Sequence, residues 1–213
     1  MNKFLCLFIS VSSITLPILL TYVIKRRYRR KIQLLVEKDN NYYYQLLAID
    51  MKNFNCRQHL YETKVECGEW CSLAYLKTIQ KFISSAKSSI CLCVLMLTLS
   101  SVVKQLVDAQ KRGVTVRIII DKVMLNTKAV KCNFEHMKQQ GILFKFQPLS
   151  STKMHHKFCL IDKDEENEAK MFFGSLNLTS QGFCKNFDNT ILTNNKDMIS
   201  RFSEEFEELW QLF

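Results

Sequence analysis

Histidine is scarce in this chain, with four in 213 residues, so any imidazole chemistry rests on very few positions. Glycine and proline are scarce too, five and two, which excludes a collagen-like or low-complexity chain and leaves few punctuation marks between elements. Charge is missing altogether from Phe4 to Ile24, a run dominated by Leu, Ile, Val and Phe. The nine cysteines are an odd number, which argues against a closed disulfide framework. Cys91, Cys93, Cys132 and Cys159 lie in or near apolar segments and are expected as reduced core residues in a reducing compartment.

What is plentiful is positive charge, a formal +10. Six of the cations (Lys25, Arg26, Arg27, Arg29, Arg30 and Lys31) form one cluster, and without them the body is only mildly basic. That suits an anionic substrate without demanding one. As a helix the uncharged run would rise roughly 31 Å, about the thickness of a bilayer core. A single preceding lysine and the lack of a small-residue cleavage site favour an uncleaved anchor over a signal peptide. The cluster after it places the body on the cytosolic side and within reach of anionic lipid headgroups. The expected organisation is an anchor with its basic flank over residues 1–31 and one domain over 32–213.

Tyr42 to Ile49 reads as a strand or short helix. Residues 73–86, Leu99 to Arg112 and 127–140 have helical spacing, the last two stopped by Gly113 and Gly141. Ser89 to Leu97, Val114 to Ile120 and Ile142 to Phe146 read as apolar strands, and the first two with their helix form a βαβ unit of a buried parallel layer. Residues 163–170 form a polar hairpin turn before a return strand, Met171 to Gly174. Asn189 to Thr193 is another strand. Met198 to Trp210 closes the chain as an amphipathic helix, its acidic residues 204, 205, 207 and 208 facing outward.

Cys56, His59, Cys67 and Cys71 have the number and softness of donors that a tetrahedral structural zinc takes, with Gly68 easing the turn between the last two. Free thiols or a labile disulfide are the alternative. Four protein ligands leave no open position, so such a metal would brace a loop over 56–71 and perform no hydrolysis.

The stretch KMHHKFCLID sets His155, Lys157 and Asp162 in an H-x-K-x4-D pattern, and Gly174, Ser175, Leu176 and Asn177 follow as GSLN. On a strand His155 and Lys157 share a face, placing a nucleophile beside an anion-binding ammonium. His155 can attack phosphorus, Lys157 and Asn177 can hold nonbridging oxygens, and Ser175 can donate a hydroxyl. No catalytic metal is needed, because Lys157 supplies the cation. One histidine cannot serve both faces of a phosphorus, however. His136 falls in a helix, His59 in the cysteine cluster, and His156 on the opposite strand face. A symmetric dimer would bring a second His155.

This pattern resembles the HKD signature of the phospholipase D superfamily and, within it, the mitochondrial cardiolipin hydrolase group, which includes the zucchini endonucleases of the piRNA pathway. The resemblance extends over nearly the whole chain, through the cysteine set, the anchor and IIID at 118–121. It implies an α/β fold with a mixed, largely parallel sheet flanked by helices, a structural zinc on Cys56, His59, Cys67 and Cys71, and a homodimer sharing one site. His155 then looks like the nucleophile in one subunit and the acid in the other. Lys157, Ser175 and Asn177 look like phosphate ligands, with Asp162 as structural support. Asn186-Phe187-Asp188 stands where the family has N-x-E, so Asp188 would orient the histidine with a side chain one methylene shorter. Leu178 stands where the group often has tryptophan, and the 163–170 turn is longer than usual.

The resemblance implies a metal-independent endonuclease cutting single-stranded RNA through a phosphohistidine, at the outer mitochondrial membrane and facing the cytosol. Lys128, Lys131, Lys138, Lys153 and Lys185 are candidate groove cations, and exposed aromatics near the motif are expected to be scarce. The alternatives are hydrolysis of cardiolipin to phosphatidic acid, and a silent membrane scaffold.

Overall fold

A computed structural model describes residues 17–33, 42–61, 67–126, 128–147 and 153–213. The chain divides into two units, Met1–Tyr42 and Tyr43–Phe213. In the first, residues 17–33 form a helix, α1, which carries the basic cluster on exposed positions. Most of the expected anchor lies outside the described residues. Among the described residues no helix is long and apolar enough to cross a membrane.

The second unit is a seven-stranded sheet in the order β1-β7-β6-β5-β2-β3-β4. Its strands are β1 (Tyr44–Ile49), β2 (Ser89–Val94), β3 (Thr115–Asp121), β4 (Leu143–Gln147), β5 (Lys157–Ile161), β6 (Lys170–Gly174) and β7 (Asp188–Thr193). Its helices are α2 (Ser72–Ser84), α3 (Ser100–Lys111), α4 (Lys128–Gln139), α5 (Ser180–Cys184) and α6 (Lys196–Leu212). The β2-α3-β3 unit is parallel as expected, and β4 extends it. The other four pairings are antiparallel, so the sheet is mixed but not largely parallel. The cause is legible in hindsight: a strand covered on both faces shows a continuous apolar run whichever way its neighbours point. FCLI therefore said nothing about direction.

The sheet is covered on both faces. Leu92, Ile118, Cys159, Ile161 and Phe172 face α2 and α3, with Leu76, Ile79, Val102 and Leu106. Cys91, Cys93, Phe158, Leu160 and Met171 face α6, with Ile199 and Phe206. Cys91, Cys93 and Cys159 are free and buried as expected, whereas Cys132 is free and exposed on α4. Its apolar neighbours in sequence lie on a different side of that helix; Val130 and Met137 take the buried positions.

Helix α6 is not acidic outward throughout. Glu207 pairs with Arg117 through both oxygens, at 2.6 and 2.8 Å, and the guanidinium lies over the rings of Phe206 and Trp210. Glu205 reaches His156 at 3.2 Å. A helix that must be held onto a sheet containing an inward-reaching arginine uses its carboxylates for pairing.

At the far end of β5, Asp162 is 1% exposed and adopts a positive φ of 50°. Its carboxylate accepts from the backbone N–H groups of Lys87, Ser88 and Ser89 and from the Ser88 hydroxyl. Burial would raise its pKa, but the N–H donors of Ser89, Ser88 and Lys87 outweigh it and hold the group below the usual carboxylate value. The last residue of the HKD pattern thus ties the end of β5 to the start of β2.

Candidate active site

The signature residues gather at one end of the sheet. His155 and Lys157 stand at the start of β5, Ser175 and Asn177 just beyond β6, and Asp188 opens β7. Antiparallel pairing of β5 with β6 and of β6 with β7 brings these chain positions to the same edge. Gly174 is required there. A Cβ on it would run into the Asn189 carbonyl and the Thr190 backbone, so only glycine lets β7 approach closely enough to place Asp188 beside Ser175.

His155 precedes β5, which begins at Lys157, so the strand alternation governs Lys157 onward. The predicted neighbourhood nonetheless holds: the Lys157 Nζ lies 3.0 Å from His155 Nδ1 and donates to the His155 carbonyl at 2.7 Å. Lys157 is 7% exposed. Burial lowers its pKa from the ordinary lysine value, and the Asp188 carboxylate acts in the opposite direction. The tautomer decides what this contact does: an Nδ1 lone pair accepts from the ammonium and leaves the proton on Nε2, whereas an Nδ1–H leaves Nε2 bare to attack.

Asp188 is engaged elsewhere. Its Oδ1 accepts from the Ser175 hydroxyl at 2.7 Å and its Oδ2 from the Asn186 amide at 3.1 Å. The Ser175 oxygen in turn accepts the Asn189 N–H at 3.0 Å. Among the described residues no hydrogen bond joins Asp188 to His155, so the sequence expectation that Asp188 orients the imidazole is not met within this chain. The short aspartate is held back by two donors on its own loop. The buried Oδ1 of Asn177 has no hydrogen-bond partner, a cost of about 1–3 kcal/mol that folded proteins keep at working sites.

His156 turns toward α6. It packs edge-on against Phe158 and meets Glu205 of α6. His136 lies exposed on α4. Leu178, at the tryptophan position, is buried and its carbonyl accepts the Thr98 and Leu99 N–H groups at the start of α3. Lys128, Lys131, Lys138, Lys153 and Lys185 are all exposed. The 163–170 turn is a hairpin tip as read from sequence, pinned by Lys87–Glu168 and Lys196–Glu166 pairs. The loop of residues 148–152 leading into the motif lies outside the described residues.

Cys56, His59, Cys67 and Cys71 converge, with one donor atom from each lying within 4.8 Å of all the others. Cys56 and Cys67 sulfurs are 3.4 Å apart, and His59 Nδ1 is 3.3 Å from the Cys71 sulfur. Burial pushes the Cys71 thiol up, but backbone N–H donors and His59 outweigh it and bring it down to about 6. The neighbouring thiols push Cys67 up to about 11, the hydrogen bond from Cys56 first among them. Three thiols and an imidazole crowded this closely fit a tetrahedral soft cation, which would relieve the repulsion between their charged forms.

One aromatic was not foreseen. Phe187, between Asn186 and Asp188, is 72% exposed, against the expectation of few exposed rings here. Polar neighbours on both sides hid it in the sequence.

Residues 79–210 match the family model described as cardiolipin synthase, PLD-like domain. The chain belongs to the phospholipase D-like family. It is 29% identical to the mitochondrial cardiolipin hydrolase of Drosophila melanogaster, over 78% of this chain and 70% of that one. The human and Danio rerio proteins of the same name are 26% and 28% identical, over 69% and 60% of this chain and only 55% and 53% of their own lengths. The fold recurs in Nuc, a phospholipase D family member from Salmonella typhimurium, with a TM-score of 0.62 at 23% identity, covering 80% of this chain and 95% of Nuc. NucT from Helicobacter pylori gives 0.57 at 15% identity, covering 80% and 96%. By family, then, this phospholipase D-like chain is a phosphodiester hydrolase.

Proposed function

We propose that two copies of this chain form one phosphodiesterase site that cuts single-stranded RNA, with His155 in two roles. The observation that carries the reading is the His155–Lys157 contact, since His156 turns to Glu205 of α6, His136 lies on α4 and His59 sits in the cysteine cluster. In one protomer a neutral His155 with its proton on Nδ1 attacks phosphorus through Nε2, and the bond to the leaving oxygen breaks. That oxygen takes the Nε2 proton of the partner's His155. Water then attacks the phosphohistidine, giving its proton back to the partner imidazole and freeing the first histidine. Lys157, Ser175 and Asn177 hold the phosphoryl oxygens, and Asp162 fixes the strand that presents the pair. No step calls for a divalent metal.

The polar surroundings of the site and the exposed Lys153 and Lys185, close in sequence to His155 and Asp188, favour a wet, nucleic-acid-binding groove. The reading of the N-terminal run as an anchor, and the names of the relatives, support a place at the outer mitochondrial membrane with the domain in the cytosol, where piRNA precursors would be substrates. The zinc reading assigns Cys56, His59, Cys67 and Cys71 a bracing role.

Hydrolysis of cardiolipin to phosphatidic acid is the second reading, favoured by the printed names of the curated relatives. Offering the full chain labelled single-stranded RNA and cardiolipin vesicles, with and without EDTA, separates the two. RNA cleavage that persists in EDTA supports the nuclease; phosphatidic acid release without RNA cleavage assigns the lipid.

A further inference from the structure

Phe187 lies between two residues of the catalytic network, with Asn186 on one side and Asp188 on the other. It is 72% exposed. Leaving a large ring in water beside a polar site forgoes burial that a phenylalanine side chain elsewhere supplies. The ring is not loose, however. Phe54 packs against it with centroids 5.3 Å apart and planes at 63°.

Phe54 comes from the short 3-10 helix Met51–Cys56, which is built to arrive there. Ile49 at the end of β1 pairs with Asp188, and Asp50 then starts the 3-10 turn with a reciprocal cap to Asn53. The buried Asn53 amide holds the Trp70 carbonyl at 2.6 Å, and Ser72 bonds the Phe183 carbonyl of α5 at 2.7 Å. The same turn ends in Cys56. The cysteine–histidine loop and α5 therefore clamp Phe54 behind Phe187. The ring keeps this edge-type contact while most of its surface stays exposed. Lys185 is exposed two residues before it.

We propose that Phe187, backed by Phe54, is a stacking platform for an unpaired nucleobase next to the scissile phosphate. This deepens the RNA reading above and rests on it. A ring fixed beside a phosphate site is the arrangement that takes single strands, because every base has a π-face and a duplex hides it. An acyl chain would instead be matched by a continuous apolar surface, and the neighbours here are Asn186, Asp188 and Ser175.

The test measures binding of the full-length His155→Asn chain in detergent to a short single-stranded RNA, so that cleavage does not interfere. Phe187→Ala weakens binding about tenfold to a hundredfold, Phe187→Trp stays near the parent, and Phe187→Leu is as weak as alanine. Phe54→Ala, which removes the backing but keeps the ring, falls between. An abasic nucleotide beside the cut site abolishes the difference between phenylalanine and alanine. Unchanged binding in Phe187→Ala, full binding in Phe187→Leu, a loss confined to cardiolipin vesicles, or dissociation of a dimer by Phe187→Ala would each overturn the proposal. Cleavage is scored separately with His155 intact. Stacking-dependent binding without RNA cleavage retains this inference and refutes the nuclease reading; RNA cleavage indifferent to Phe187 does the reverse.

Discussion

The hydroxyl of Ser175 donates to Asp188 Oδ1 at 2.7 Å while accepting the Asn189 N–H, so the carboxylate expected to serve the histidine is tied to its own loop. The same carboxylate opposes the burial that lowers the Lys157 pKa. Asp188 thus acts within this chain on Lys157 through charge and on Ser175 through a hydrogen bond.

Replacing Asp188 with Asn removes that charge and leaves burial unopposed, so the Lys157 pKa falls further. Activity that needs the ammonium then fades at lower pH. The expected outcome is a basic limb of the kcat/KM profile displaced toward neutrality, with kcat reduced roughly tenfold or more. A pH–rate series on the variant and the parent checks it.

Asp162 contributes to stability with the opposite sign. Its folded pKa is depressed, so its stabilisation is fully present above the unfolded value of about 3.9 and is lost as pH falls through the folded one. Asp162→Asn tolerates the positive φ but loses the charge. Denaturant unfolding at pH 7 should show a loss of about 2–3 kcal/mol, shrinking as the parent is acidified below pH 4.

The cysteine–histidine cluster predicts a stability effect and no chemical one. Purified protein should carry one zinc per chain, and prolonged chelation or Cys71→Ser should lower Tm by several degrees. Cleavage measured at once after EDTA addition should be unchanged. Calorimetry paired with metal analysis decides it.

Much of this was legible in the residues themselves. H-x-K in a short segment fixes two side chains within reach of each other whether or not the strand has begun, so the His155–Lys157 pair survived the later start of β5. Asp162 and the four zinc-type donors were legible because few residue types can do their work. Strand direction was not, because β5 is apolar on both faces. The Ser175–Asp188 bond was hidden because it joins residues 13 apart through a close approach that Gly174 alone permits. Phe187 was hidden for the opposite reason: polar neighbours gave no apolar period to read.

The central claim is that one chain holds half a site. Quenching the full-length protein in alkaline denaturant during turnover of an RNA labelled at the scissile phosphate should trap an acid-labile, base-stable adduct on His155, at one label per two chains. One label per chain, or cleavage that persists in His155→Asn with no adduct at all, would contradict it.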